Sequence, residues 1–218
     1  MKWFGGKHRP PAPAPPAADD PQGGAGPVPE IHRSLALAEL LAGLRPEQRL
    51  SVLDLGPAVG ANLKFLSERY RCRLRIADLW SSADRGRRIA DPDVDPAALM
   101  RDLVPAGGEP LDLVLGWDLL NYLTKPQIRA LAQCLAPACR PGARWFVMAL
   151  AGQQIPREPL TYELRDGGDL VYRAAGGEAT RPGPRYRPAE IDELTPGFRV
   201  DRSYLLRHGV QEYLLVRG

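Results

Sequence analysis

From Ser34 onward the apolar residues fall into alternating helical and strand periods. Ser34 is placed to cap a helix in which Leu37, Leu40, Leu41 and Leu44 recur at i, i+3, i+4 and i+7, with Gly43 and Pro46 marking its end. Leu50-Ser51-Val52-Leu53-Asp54-Leu55 reads as a short, mostly buried strand. It enters a glycine turn, Gly56-Pro57-Ala58-Val59-Gly60, and then a second helix with Leu63, Leu66 and Tyr70 on one side. Cys72, Leu74 and Ile76 alternate with Arg71, Arg73 and Arg75 and stop at Ala77-Asp78, predicting a strand with a polar face or near a sheet edge.

Residues 81–110 hold Pro92, Pro96, Pro105 and Pro110 and predict a broken helix or two, with no convincing third strand. Leu111 to Gly116 is a clearer buried strand, and Thr124 opens a helix carrying Ile128, Leu131, Ala132 and Leu135 at the 3.6 period. Pro141-Gly142 turns the chain into a strand from Trp145 to Leu150. Thr161 to Arg165 and Leu170 to Arg173 flank Asp166-Gly167-Gly168-Asp169, which reads as a hairpin insertion. A short helix at 188–195 precedes Phe198–Arg207 and Val210–Arg217, two antiparallel strands around His208-Gly209. Strands alternating with helices predict an α/β fold: an open, mostly parallel sheet covered on both faces, with an antiparallel C-terminal hairpin strand.

Composition adds boundaries. The 218 residues suffice for one domain and a tail. Eight prolines between Pro10 and Pro29, interleaved with Ala, Gly and Asp, leave residues 1–29 without the bulky apolar side chains that offset ordering entropy. They read as a disordered leader, followed by a domain over 30–218 with the hairpin insertion near 160–174. The formal charge of +3, from 29 basic and 26 acidic residues, gives no independent support for a nucleic-acid partner. Cys72, Cys134 and Cys139 form no CxxC pair and His8, His32 and His208 are scattered, so neither a metal site nor a disulfide framework is expected. No apolar run approaches the roughly 20 residues of a membrane-spanning helix. A cytoplasmic protein is the expectation; oligomeric state stays open.

In such a sheet, ligands bind beyond the carboxyl ends of the strands. The turn after Leu55 combines Asp54, Gly56 and Gly60, and the helix behind it aims free amide hydrogens at the same place. Asp78 ends the next strand, and a carboxylate about 20 residues beyond a glycine turn can accept from ribose hydroxyls. Position 58 is Ala, so the turn is not GxGxxG, and no Gly-Lys-Ser/Thr triplet makes a P-loop.

Val52-Leu53-Asp54-Leu55-Gly56-Pro57-Ala58-Val59-Gly60, Asp78, Leu111 to Leu123 and Gly209 to Arg217, in that order, resemble the class I S-adenosylmethionine-dependent methyltransferases, a Rossmann-like family, over roughly residues 34–218. The resemblance implies S-adenosylmethionine as cofactor, held by Asp54, Gly56, Ala58, Gly60, Asp78, Leu79, Gly116 and Trp117, with Asp102 nearest to the adenine contact by spacing. It implies direct in-line methyl transfer to a small-molecule or protein-side-chain acceptor. A base is needed only for a protonated acceptor; Asp118 and Tyr122 are the first candidates, ahead of His208 and Tyr162.

Plainer roles compete for the same residues. Trp117 and Tyr122 also fit as packing aromatics, Asp112 as a structural acid inside its strand, and Arg181, Arg185 and Arg187 as a surface loop rather than an anion site. Ala58 in place of the usual middle glycine, the missing adenine contact and the lack of an obvious base favour the alternative function, a non-catalytic binding or regulatory module. Asn121-Tyr122 lacks the prolines of the DNA amino methylases.

Overall fold

The computed structural model describes residues 30–78, 89, 91, 94–101, 104, 108–150, 154–173, 179–184, 186–206 and 209–218. The expected leader, Leu79, Asp102, Arg185, His208 and most of 81–110 lie outside the described residues.

The main sheet has six strands. Four run parallel: β2 (Arg49–Asp54), β3 (Arg71–Ile76), β4 (Leu111–Leu115) and β5 (Cys139–Leu150). The C-terminal hairpin completes it, with β11 (Val210–Arg217) antiparallel to β5 and β10 (Phe198–Leu205) antiparallel to β11. The spatial order is β10-β11-β5-β4-β2-β3, so the α/β architecture expected from the alternation is the one observed. Arginine-rich β3 lies at the edge, and no described residue between Ile76 and Leu111 forms a strand.

Period-two alternation along β5 divides the apolar residues between two cores. Trp145 and Val147 face one side with Leu53, Val114, Tyr213 and Leu215. Against them pack Ile128, Leu131 and Leu135 of α4 (Lys125–Ala138) and Ile191 and Leu194 of α5 (Pro188–Leu194). Phe146 and Met148 face the other side, where Leu37 and Leu40 of α1 (Leu35–Ala42) and Phe65 and Leu66 of α2 (Gly60–Arg69) cover Val52, Leu113 and Leu214. Each such fully buried side chain contributes roughly 1.5–3 kcal/mol. A short helix, α3 (Pro96–Arg101), adds Leu99 and Met100 to the first core.

The helix starts follow from their caps. Ser34 Oγ accepts from Leu37 N at 3.0 Å, and Thr124 and Gln127 exchange side-chain and backbone bonds as a capping box. Glu212 of β11, fully buried, accepts from Ala36 N at 3.0 Å and lies 3.4 Å from His32 Nε2, tying the start of α1 to the sheet.

Four details depart from the sequence expectation. The inward side of α2 is Asn62, Phe65 and Leu66, with Tyr70 at its C-cap packed half-buried against the same core, while Leu63 is 48% exposed. Asn62 turns inward because its amide donates to Tyr162 O and accepts from Leu164 N, both at 2.8 Å. The strand expected at Trp145 begins at Cys139: Cys139 pairs with Leu111 and Arg144 with Leu113, so Pro141-Gly142 lies in a bulge rather than a preceding turn, with Gly142 at φ +79°. The hairpin expected near 160–174 forms, β7 (Thr161–Leu164) antiparallel to β8 (Asp169–Arg173), and gains a third strand. On its other side β8 pairs with β1 (Glu30–Arg33), whose four residues carry no readable period. Two three-residue strands, β6 (Gln154–Pro156) and β9 (Thr180–Pro182), also pair without a sequence signal.

Candidate functional site

The carboxyl ends of β2 and β4 bring Asp54, Gly56, Asp78, Gly116, Trp117 and Asp118 around one point. Asp54 ends β2 and is 1% exposed. Its Oδ1 accepts from Gly56 N at 3.0 Å and from Trp117 Nε1 at 2.6 Å. Burial pushes this carboxyl up to about 6, against the pull of those two hydrogen bonds, and Asp78 nearby raises it further.

Trp117 follows β4 by two residues and is the only non-glycine among the described residues with positive φ, at 47°. That left-handed backbone turns the indole back over the strand ends, a conformation bulky residues adopt only when their surroundings hold them. Here the indole stacks on Tyr162 of β7, with centroids 5.4 Å apart and planes within 6°, and meets Phe146 edge-on at 5.9 Å. Met148 N also donates to Trp117 O at 2.6 Å.

Two glycines assigned to cofactor binding are covered by tryptophans of this chain. A Cβ added at Gly56 would lie 2.4 Å from Trp117 Cδ1 and 2.7 Å from Nε1. One added at Gly116 would lie 2.5 Å from Trp145 Nε1 and 2.8 Å from Val147 Cγ1. The bare backbone at both positions is filled by indole. Ala58 and Gly60 lie exposed on the outside of the turn, and a Cβ at Gly60 meets nothing within 4 Å.

Asp118 is fully enclosed. Leu160 N donates to its Oδ2 at 3.1 Å, and the hydroxyls of Tyr162 and Tyr122 reach the same carboxyl. Burial pushes it up to about 7 despite these donors. Burial and the Asp118 charge raise the hydroxyls of Tyr122 and Tyr162 in turn. Tyr122 also reaches Glu158 O at 2.8 Å and Pro156 O at 3.2 Å, which straps the segment after β6 across the 3-10 turn Leu119–Tyr122. Arg181, considered above for an acceptor anion, instead donates to Asn121 O at 2.6 Å and stacks 4.8 Å above the Tyr122 ring. The strap and Asn62's bonds to β7 escape sequence reading; the one available signal is a polar Asn on the inward stripe of α2.

The space left among Leu55, Gly56, Pro57, Asp78, Trp117, Asp118 and Pro159 is about 10 Å³. That is roughly the volume one water needs, whereas small-molecule sites begin near about 300 Å³. Among the described residues that the resemblance assigns to S-adenosylmethionine, the arrangement leaves no room for it at Gly56, because Trp117 covers that backbone. Among the described residues no three His, Cys, Asp or Glu side chains gather as a metal site. Among the described residues no helix is long and apolar enough to cross a membrane.

The strand order and the reversed last strand define the class: the chain has the fold of the S-adenosylmethionine-dependent methyltransferases. A methyltransferase of that kind from Mesorhizobium loti superposes with a TM-score of 0.50 at 15% identity, covering 82% of this chain and 96% of its own. A 1,6-didemethyltoxoflavin-N1-methyltransferase from Burkholderia thailandensis, solved with 1,6-didemethyltoxoflavin and S-adenosylhomocysteine, matches at 14% identity and TM-score 0.46, over 84% of this chain and 74% of that one. The pyocyanin biosynthetic protein PhzM matches at 16% identity and TM-score 0.46 over 84% of this chain, which spans only 55% of PhzM. No family model and no curated protein matches the sequence.

Proposed function

We propose that this protein is a non-catalytic relative of the methyltransferases, a binding or regulatory module whose donor cleft is closed by its own Trp117. One observation carries the reading: the indole lies on Gly56 while its Nε1 takes the Asp54 carboxyl at 2.6 Å. Opening the cleft breaks a buried hydrogen bond to an acid, worth about 1.5–3 kcal/mol, and a stacked aromatic pair worth about 0.5–1.5 kcal/mol. It also exposes an indole that is 2% accessible. Every 1.4 kcal/mol weakens a ligand about tenfold, so a micromolar site falls to the millimolar range. Calorimetric titration of the full chain with S-adenosylmethionine and S-adenosylhomocysteine tests this; the expected result is no binding below millimolar concentration.

A second reading, an active methyltransferase acting on a small molecule or a protein side chain, draws on Asp118. This carboxyl lies just past β4, and at about 7 it would exchange a proton near neutrality. It requires Trp117 to leave Gly56. Incubation with labelled donor and cell extract separates the two, since one methylated product removes the first reading.

A further inference from the structure

At the opposite end of the sheet, the bulge in β5 builds a second feature. Between the pairs Leu111–Cys139 and Leu113–Arg144, β5 carries three more residues than β4, and the excess pushes Pro141-Gly142 outward. This rim faces the end of α1 at Gly43-Leu44 and the side chain of Gln48. Between them lies a cleft of about 360 Å³, within the range of small-molecule sites. Leu40, Leu50 and Leu113 lie beneath it, each about 1% exposed, and the half-buried Leu44 and exposed Pro141 supply the apolar part of a mainly polar wall.

The charges at the cleft are unequally matched. Arg140 is held by Asp112 at 3.3 Å and by Glu109 at 3.4 Å. Asp112 also accepts from Ser51 N at 2.7 Å, and Glu109 lies 3.7 Å from Arg49. The side chain of Arg144, half-buried and lining the same cleft, makes no hydrogen bond or ion pair among the described residues. Among the lining residues two guanidiniums, Arg140 and Arg144, face one carboxylate, Asp112, which leaves one net positive charge centred on Arg144. A guanidinium fork matches a carboxylate with two parallel hydrogen bonds. Asp112 and the negative end of the α1 dipole oppose a second negative charge on the ligand.

We infer that this cleft binds a small organic monocarboxylate, its carboxylate on the free guanidinium of Arg144 and its short apolar body on Leu44 and Pro141. The site lies apart from Trp117 and stands whether or not the proposed function does. Gln48, exposed at the mouth, adds an amide donor to the second carboxylate oxygen.

Hexanoate, hexanamide and inorganic phosphate are titrated into the full chain and followed by calorimetry. The expected result is saturable hexanoate binding, with hexanamide and phosphate at least about tenfold weaker. Arg144→Gln should lower hexanoate affinity at least about tenfold, and Gln48→Glu, at an exposed position that leaves the core untouched, should lower it by repulsion even if the first variant fails to fold. No saturation by about 10 mM hexanoate, equal binding of hexanamide or phosphate, or unchanged affinity in Gln48→Glu overturns the proposal.

Discussion

Trp117 Nε1 donates to Asp54 Oδ1 at 2.6 Å, joining the residue that ends one parallel strand to the residue just past its neighbour. The acid that opens the glycine turn is thereby committed to a side chain of the same protein. Trp117→Phe keeps the stack on Tyr162 and removes only the donor. The loss leaves a buried carboxyl with Gly56 N as its one remaining partner among the described residues, costing about 1–3 kcal/mol. Because Asp54 ionises near pH 6 in the fold, the loss of melting temperature should be larger at pH 8 than at pH 5. Thermal melts at the two pH values check this; equal losses would show that the bond does not serve the ionised form.

Gly56→Ala separates packing from ligand binding. A Cβ there lies 2.4 Å from Trp117 Cδ1, so the indole must shift, and overpacking of this kind costs about 1–3 kcal/mol without any ligand. In a Trp117→Gly background the same change should be nearly neutral. Glycine suits the φ of +47° at 117, so that background relieves backbone strain while it opens the cleft. Denaturant melts of the two single variants and the double variant give the coupling; additive effects would mean that the indole does not set the requirement for glycine.

Gly60 behaves differently although it belongs to the same motif. It opens α2 on the exposed side of the turn, where an added Cβ touches nothing within 4 Å. Gly60→Ala should leave the fold unchanged or stabilise it by up to about 1 kcal/mol, through lower unfolded-chain entropy and better helix propensity. A loss beyond about 1 kcal/mol in a urea melt would place a neighbour against this residue that the geometry lacks.

The parallel strands are legible in the sequence because Leu50–Leu55 and Leu111–Leu115 are nearly unbroken apolar runs, the pattern of strands covered on both faces. The caps at Ser34 and Thr124 are legible because they depend on residues three apart. The seat of Trp117 on Gly56 is not. It depends on the φ of Trp117 and on a stack with Tyr162, 45 positions along the chain, and neither leaves a local pattern. β1 is hidden for the same reason, since four residues find their partners in β8 far downstream. The motif thus reports the backbone path of the turn faithfully, while the side chain filling its concave face comes from elsewhere.

Asp118 offers a test that depends on pH. In the fold its carboxyl ionises near 7 and that of Asp54 near 6, against ordinary values near 3.8. Both acids therefore keep their protons in the fold at pH values where the unfolded chain has lost them. Between about pH 4 and 7 unfolding releases protons, and the contribution of these groups to stability falls as pH rises. A tenfold difference in ionisation constant between the folded and unfolded chain is worth about 1.4 kcal/mol, so Asp118 alone accounts for a few kcal/mol by pH 8. Asp118→Asn removes the ionisation while its Oδ1 can still accept from Leu160 N. At a chain of this size about 1 kcal/mol moves the melting temperature by roughly 2–4 °C. Relative to the natural chain, the variant should gain several degrees more at pH 8 than at pH 5. An identical offset at both pH values would mean that Asp118 is already ionised in the fold at pH 5, which its full enclosure by Leu160, Tyr162 and Tyr122 opposes.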